Sequence, residues 1–436
     1  ETGAVSPSPV EAVAGHGRGA SCGSKEGAFR QQPRVRDGVQ FLVNKATPKT
    51  LEATDAARAP GSPTPRSLYV HVPFCARRCS YCDFAVQAVR QPPTREWLDA
   101  IEAELGLRVA QAGLGRLSLD TVYVGGGTPS LLGVGALPAL LDRIGKHADI
   151  APEAEITAEA NPESFTAELA RDWRAAGVNR VSLGAQTFHE ASLRWMGRLH
   201  GADGPARAVA VAREAGFDNV SVDLIFGLPD RLGRDWGADL DRALGLEPEH
   251  VSLYGLTAEP GAPLGRWVAE GRERLPDEEE YSAQYLLAVE RLTAAGFRHY
   301  EVSNFALPGR ESRHNQVYWS GAAYLGLGPG AHSYLAGRRW WNARSWASYA
   351  EALGRGEAPD EGAETVVGAA ARLERTWLAL RTAEGFPLAA ASEGQQRLAA
   401  RWVEHGWAVV AGGALRLTPS GWLLLDRLAV ELDEAA

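Results

Sequence analysis

Tyr69-Val-His-Val-Pro-Phe-Cys75-Ala-Arg-Arg-Cys79-Ser-Tyr-Cys82 is the stretch on which the fold turns. The alternating, β-branched run Leu68 to Val72 predicts a strand, and three cysteines follow it at C-x3-C-x2-C spacing. Three thiols this close cannot all pair among themselves as disulfides, and such clustering in a reducing compartment points to a metal site. Thiolates on one short loop suit an iron–sulfur cluster, and three of them leave one iron open. Zinc stays open as an alternative, although a structural zinc site closes with four ligands and His71 is the only neighbouring candidate for the fourth. Arg77 and Arg78 on the same loop would offset thiolate charge, or simply face solvent. Cys22 has no near partner and reads as an incidental thiol.

Outward from this segment, β-rich runs recur at Thr121 to Val124, Glu155 to Glu159, Arg180 to Leu183, Asn219 to Phe226 and His250 to Gly255. Helical spacing fills the intervals, as in Trp97 to Val109, where Leu98, Ile101, Leu105 and Val109 recur, and in Leu137 to Ile144. Six β–helix alternations predict an α/β fold with a parallel sheet and right-handed crossovers, either a partial barrel or an open doubly wound sheet. A further helix, Glu278 to Ala295, leads through His299 to Ser303 into a glycine- and aromatic-rich stretch ending near Trp346. The remainder reads as helices at Thr365 to Thr382 and Gly394 to His405, a hairpin at Ala408 to Leu417 turning at Gly412-Gly413, and a helix from Ser420. That order resembles an α+β winged-helix domain. Its second helix mixes Arg397 and Arg401 with Glu393 and Glu404, which suits a packing or interaction face better than the reading of DNA.

The chain has 436 residues, enough for two or three domains or one large barrel with an appendage. Its 45 basic and 54 acidic side chains give a net charge of −9, which opposes non-specific attraction to nucleic acid or anionic lipid. No run of about 18 apolar residues predicts a membrane span, so a cytoplasmic protein with at most peripheral membrane contact is expected. Residues 1–66 are rich in Gly, Ala, Ser and Pro and read as a disordered extension, and Glu1 to Val13 carry no apolar signal core. The sequence begins with Glu1 and its only methionine is Met196, so the primary translation product is expected to start elsewhere.

The cysteine segment resembles the radical S-adenosylmethionine (SAM) signature. In that superfamily three cysteines hold a [4Fe-4S] cluster and the fourth iron binds the amino and carboxylate groups of SAM. From about residue 67 onward the chain is similar to the coproporphyrinogen III dehydrogenase-like family, which includes the oxygen-independent dehydrogenase and the heme chaperones of the HemW group. The resemblance implies Cys75, Cys79 and Cys82 as cluster ligands. It assigns SAM contacts to Tyr69, Tyr81, Gly126, Gly127, Thr128, Glu159, Gln186, Arg198 and Asp223. Glycines in Gly125-Gly126-Gly127-Thr128-Pro129 let backbone approach a ligand and expose amide donors, and no Lys-Ser/Thr follows to make a phosphate loop. Carboxylates suit ribose hydroxyls and an ammonium group, and an arginine suits a carboxylate. Cysteine loop, glycine loop, Glu159, Gln186 and Asp223 all fall at the carboxyl ends of successive strands, where a barrel collects its active site, which favours a partial (βα)6 barrel.

Two features separate carrier from enzyme. The dehydrogenase pattern has a fourth cysteine two residues after the third, whereas Phe84 stands there in Cys82-Asp83-Phe84. His314-Asn-Gln-Val-Tyr318-Trp319 is similar to the H-N-x-x-Y-W motif of the HemW group, which implies His314, Tyr318 and Trp319 as heme-binding residues. Histidine can ligate heme iron and the rings can face a porphyrin, although an aromatic loop packed on itself would read the same way. The resemblance implies a heme chaperone with a heme-acceptor protein as partner and a reducing electron-transfer protein as a second; the alternative is a dehydrogenase decarboxylating propionate side chains. The expected organisation is residues 1–66 as the extension, 67–300 as the barrel, 301–346 as a HemW-like segment and 347–436 as the winged-helix-like domain.

Overall fold

Strand β1 (Ser67–Val72) lies beside β2 (Leu117–Gly126), β3 (Ala148–Ala160), β4 (Arg180–Gln186), β5 (Val220–Phe226) and β6 (His250–Gly255), all parallel and in that order. The structure is a computed structural model and describes residues 64–436; the extension up to residue 63, with Cys22, lies outside the described residues. Alternation along these strands builds two interiors at once. Leu68, Val70, Val122, Val124, Val181, Leu183, Val222, Leu224, Val251 and Leu253 are fully buried against the flanking helices. Each such aliphatic burial contributes about 1.5–3 kcal/mol. The intervening residues, among them Tyr69, Tyr123, Thr157, Glu159, Ser182, Asp223 and Ser252, are polar and face the concave side of the sheet.

Helices α1 (Thr94–Gln111), α2 (Ala136–Gly145), α3 (Ala167–Ala175), α4 (Glu190–Met196), α5 (Gly204–Glu214), α6 (Trp236–Leu244), α7 (Pro263–Ala269) and α8 (Glu278–Ala294) make the crossovers and the turns after them. Thr166 and Asp235 cap α3 and α6 by accepting from backbone amides of the first turn. The expected α/β barrel is therefore what the chain forms.

The sheet continues at both edges with residues of the glycine- and aromatic-rich stretch. Strand β7 (Arg298–Glu301) turns into β8 (Asn304–Ala306), which pairs antiparallel with β6, while β9 (Leu325–Leu327) pairs parallel with β1. Open strand edges demand partners, and this stretch supplies one to each. Between β8 and β9 the chain crosses as α9 (Arg313–Ser320), seated against Thr121 of β2 and Glu155 of β3. Strands β10 (His332–Leu335), β11 (Arg338–Asn342) and β12 (Asp360–Thr365) form a separate antiparallel sheet, with α10 (Trp346–Gly354) between β11 and β12.

The carboxyl-terminal part has its own core of Leu380, Trp402, Leu415, Leu417, Trp422, Leu425, Leu428 and Leu432. Helix α11 (Gly368–Arg381), β13 (Phe386–Pro387), α12 (Glu393–Glu404), the hairpin β14 (Ala408–Ala411) and β15 (Ala414–Leu417), then α13 (Pro419–Trp422) and α14 (Leu425–Glu434) give the winged-helix order. Gly412 and Gly413 both have positive φ, as a tight hairpin turn requires. Two helix bounds differ from the sequence reading. The helix expected from Thr365 starts at Gly368, because Asp360–Thr365 joins a sheet and Val367 stays extended. The final helix is broken where Leu424 leaves helical geometry. Among the described residues no helix is long and apolar enough to cross a membrane.

Candidate functional site

At the carboxyl ends of the strands lies a cleft of about 350 Å3, and Cys75, Cys79 and Cys82 all line it. Their loop leaves β1 through Pro73 and is pinned at both ends. Phe74–Cys75 runs parallel to Gln87–Ala88, with Val89 N donating to Cys75 O at 2.8 Å. In the middle, Ser80 N donates to Met196 O at 3.0 Å and Ser80 O accepts from Leu264 N at 2.8 Å. Burial pushes the Cys75 thiol up to about 11 and raises Cys82 as well, so taking up metal must displace their protons.

The chemistry of the donor set discriminates between the two metal readings. Cys75, Cys79 and Cys82 line one cleft, where in a cube each thiolate would meet its own iron, whereas a closed structural zinc site takes a fourth ligand. His71 is not a fourth ligand here: Tyr69 Oη donates to its Nδ1 and its Nε2 bonds Ala85 O, both at 3.0 Å. Burial lowers its pKa to about 4.

The glycine loop closes tightly over the cysteine loop. Gly127 N donates to Val72 O at 2.7 Å, and a Cβ at Gly127 would stand 2.6 Å from Phe74 O and 2.7 Å from Val72 O. Gly126 has φ +105°, and a Cβ there would strike the His71 ring. Its amide donates to Glu159 Oε2 at 2.9 Å, while Tyr123 Oη donates to Oε1 at 2.8 Å. Burial nonetheless raises the Glu159 carboxyl to about 7, with Asp223 adding a smaller push in the same direction. Asp223 is itself raised by burial, against hydrogen bonds from Ser252 and Ser182.

Gln186 is the strained member. It has φ +66° at an irregularity in the β4–β5 register, and its Oε1 is buried without a hydrogen-bond partner. A non-glycine residue in this region persists only where its surroundings impose it, and an orphaned acceptor facing a cleft is the complement of a ligand donor. Arg198 follows α4, reaching Gly184 O at 2.7 Å and Cys79 Sγ at 3.8 Å.

Of the nine residues expected to meet SAM, Tyr81, Gly126, Gly127, Thr128, Glu159, Gln186, Arg198 and Asp223 line the cleft, and Tyr69 instead supports His71 beneath it. The fit extends to residues not singled out in the sequence: Asn161, Ser182 and Tyr254 also line the cleft. Asn161 lies two residues past Glu159, just where β3 ends, a signal that spacing alone could have used. Phe84, at the lip, is 59 % exposed.

His314, Tyr318 and Trp319 are brought together, but elsewhere. His314 is 1 % exposed, and its nitrogens bond Thr121 Oγ1 at 2.7 Å and Tyr318 Oη at 2.8 Å. Burial, assisted by the Arg180 charge, lowers it to about 3. The amino terminus of α9 is held by Glu155, which accepts from Arg313 N at 2.9 Å and His314 N at 3.0 Å. Trp319 lies under the Arg381 guanidinium, 4.0 Å from its ring centre.

The radical SAM superfamily model matches residues 69–243. Heme chaperone HemW of Mycobacterium tuberculosis is 42 % identical over 383 residues, covering 86 % of this chain and 96 % of that one. The chain belongs to the HemW family of radical SAM proteins. Another family member, heme chaperone HemW of Escherichia coli, is 39 % identical over 62 % of this chain and 70 % of its own length. The mitochondrial radical S-adenosyl methionine domain-containing protein 1 of Bos taurus is 40 % identical over 64 % and 63 %. Coproporphyrinogen III oxidase (HemN) of Escherichia coli, a radical SAM enzyme, shares the fold with a TM-score of 0.71 at 22 % identity, over 87 % of this chain and 92 % of that one. Membership of the superfamily implies a [4Fe-4S] cluster and SAM.

Proposed function

We propose that the chain is a cytoplasmic heme chaperone that binds heme and passes it to an acceptor protein, carrying its cluster on Cys75, Cys79 and Cys82 and SAM on the open iron. The observation that carries this reading is the identity with the Mycobacterium tuberculosis chaperone, which extends over 86 % of this chain and 96 % of that one, too much to be confined to the barrel. Phe84 supports it: the position two residues past Cys82 presents an exposed ring instead of a fourth thiol.

When bound, the reduced cluster supplies an electron that can cleave the SAM sulfonium. The chain's own residues bind and orient. Gln186 Oε1, unpartnered and buried, accepts from a donor group of SAM, and the carboxylates of Glu159 and Asp223 take its hydroxyls or ammonium. Arg198 meets its carboxylate. Thr128 and the tight Gly126-Gly127 backbone keep SAM against the cysteine loop and exclude water from it.

Heme belongs to His314, Tyr318 and Trp319 in this proposal, and the geometry sets a condition on it. His314 ligates iron only after one ring nitrogen gives up its bond to Thr121 or Tyr318, and because the side chain is buried, loading requires α9 to shift in its seat. Titration of anaerobic holoprotein with heme, beside incubation with reductant, SAM and coproporphyrinogen III, tests the reading. Stoichiometric heme binding without protoporphyrinogen formation is the expected result; turnover without heme retention would overturn it. His314→Ala should lower heme affinity at least tenfold in the fraction that stays folded, and unchanged affinity would remove His314 from the role.

A further inference from the structure

Asn161 lies in the turn after β3, and both ends of its amide are engaged. Its Nδ2 donates to Thr128 Oγ1 at 3.0 Å and its Oδ1 accepts from Arg198 Nη2 at 2.6 Å. Each partner in turn donates to a different cysteine: Thr128 Oγ1 to Cys75 Sγ at 3.4 Å, Arg198 Nη1 to Cys79 Sγ at 3.8 Å. One amide therefore holds the sulfur donors of two thiols. We propose that Asn161 is a positioning residue that sets the reduction potential of the cluster by fixing Thr128 and Arg198 as hydrogen-bond donors to the Cys75 and Cys79 sulfurs.

The direction of each bond follows from the donor inventory. A threonine hydroxyl has one proton, and because Nδ2 can only donate, Asn161 fills a lone pair of Oγ1 and leaves that proton for sulfur. A flipped amide would set Nδ2 against the Arg198 guanidinium, donor against donor, so the orientation is fixed. Arg198 is locked further by Gly184 O, which accepts from the same Nη2 at 2.7 Å, and by His200 Nε2, which accepts from Nε at 3.3 Å. Nη1 is thereby left to face Cys79.

Hydrogen bonds to cluster sulfurs stabilise the reduced state, which carries one more negative charge, and so raise the potential. Asn161→Ala frees both donors and should make reduction harder. Asn161→Asp keeps an acceptor for Arg198 but offers Thr128 a carboxylate in competition with Cys75, and adds negative charge besides.

This inference rests on the proposal that the three cysteines hold the cluster, and the test separates the two. The full chain, wild type and variant, is reconstituted anaerobically, assayed for iron and sulfide, and titrated against ambient potential with the reduced cluster followed by electron paramagnetic resonance. Asn161→Ala and Thr128→Val should each lower the reduced-to-oxidised ratio at fixed potential at least threefold, about 30 mV at 59 mV per tenfold for one electron. The double variant should shift less than the sum of the two, because Asn161 acts partly through Thr128. Unchanged potential in Asn161→Ala at full iron content overturns the inference, whatever Thr128→Val does. Should Asn161→Ala fail to load, Asn161→Ser, which also loses the amide but leaves a smaller gap, is titrated in its place, and an unchanged potential at full iron content overturns the inference in the same way. A wild-type chain that takes up no cluster overturns the cluster assignment itself.

Discussion

Gly127 shows how little freedom the cysteine loop has. The two atoms nearest to an added Cβ are backbone carbonyl oxygens, of Phe74 and Val72, and neither can move aside as the end of a flexible side chain could. Gly127→Ala must therefore push the glycine loop and cysteine loop apart, an overpacking of about 1–3 kcal/mol. Because Cys75 directly follows Phe74, the expected outcome is a chain that folds yet retains less than half the wild-type iron after reconstitution, measured by iron and sulfide analysis. Wild-type loading in that variant would show that the close approach does not govern the site.

The element that binds the molecule together is the turn from β7 into β8. Glu301, fully buried, pairs with Arg381 at 2.9 Å, and Arg381 in turn covers Trp319 of α9 and Trp377 of α11. Backbone bonds accompany the pair: Val302 N donates to Arg381 O at 3.2 Å and Ala383 N to Tyr300 O at 2.9 Å. Removing one partner of a buried ion pair strands the other charge, at a cost of about 3–5 kcal/mol. Arg381→Met should lower the unfolding free energy by that amount, and the double variant Glu301→Gln, Arg381→Met should recover a good part of it. Urea unfolding of the four proteins measures the coupling, and additive losses would contradict it.

For the whole molecule, buried histidines set the response to acid. Burial is the first cause lowering the pKa of His71, His200, His250, His299, His314 and His332, to about 3 or 4 where a value is defined. The unfolded chain takes up these protons near pH 6.5 and the folded chain refuses them until far lower, so their contribution is complete above pH 6.5 and shrinks as the pH falls toward 4. Glu159, raised to about 7, works the other way: its contribution is complete below the ordinary carboxylate pKa and is lost as pH rises through about 7. Glu104, Asp223 and Asp426, also raised by burial, act in the same sense as Glu159. Six histidines outweigh four buried carboxyls. Each costs up to about 1.4 kcal/mol per pH unit below pH 6.5, so stability should fall by several kcal/mol between pH 6.5 and 5. The urea midpoint of the full chain against pH checks this, and a flat profile would contradict it.

The barrel, the cysteine loop and the gathering of eight of the nine residues expected to meet SAM around one cleft were legible because local signals carry them: period-two strands, a fixed thiol spacing, and polar residues placed toward strand ends. Position along a strand already decides which end of a barrel a residue occupies, as Glu159 and Gln186 show. What tertiary structure alone decided was the fate of the histidine and aromatic motif and the wiring of Asn161. His314, Tyr318 and Trp319 carry the same chemistry whether they line a cleft or plug the barrel beneath it, and only the crossing of α9 between opposite sheet edges puts them in the second place. Asn161, Thr128 and Arg198 lie on three separate turns, and a hydrogen-bonded relay among them exists only once parallel pairing has brought those turns to one end of the sheet. Spacing encodes direction and local contact; which distant partner completes a buried polar group is fixed by packing.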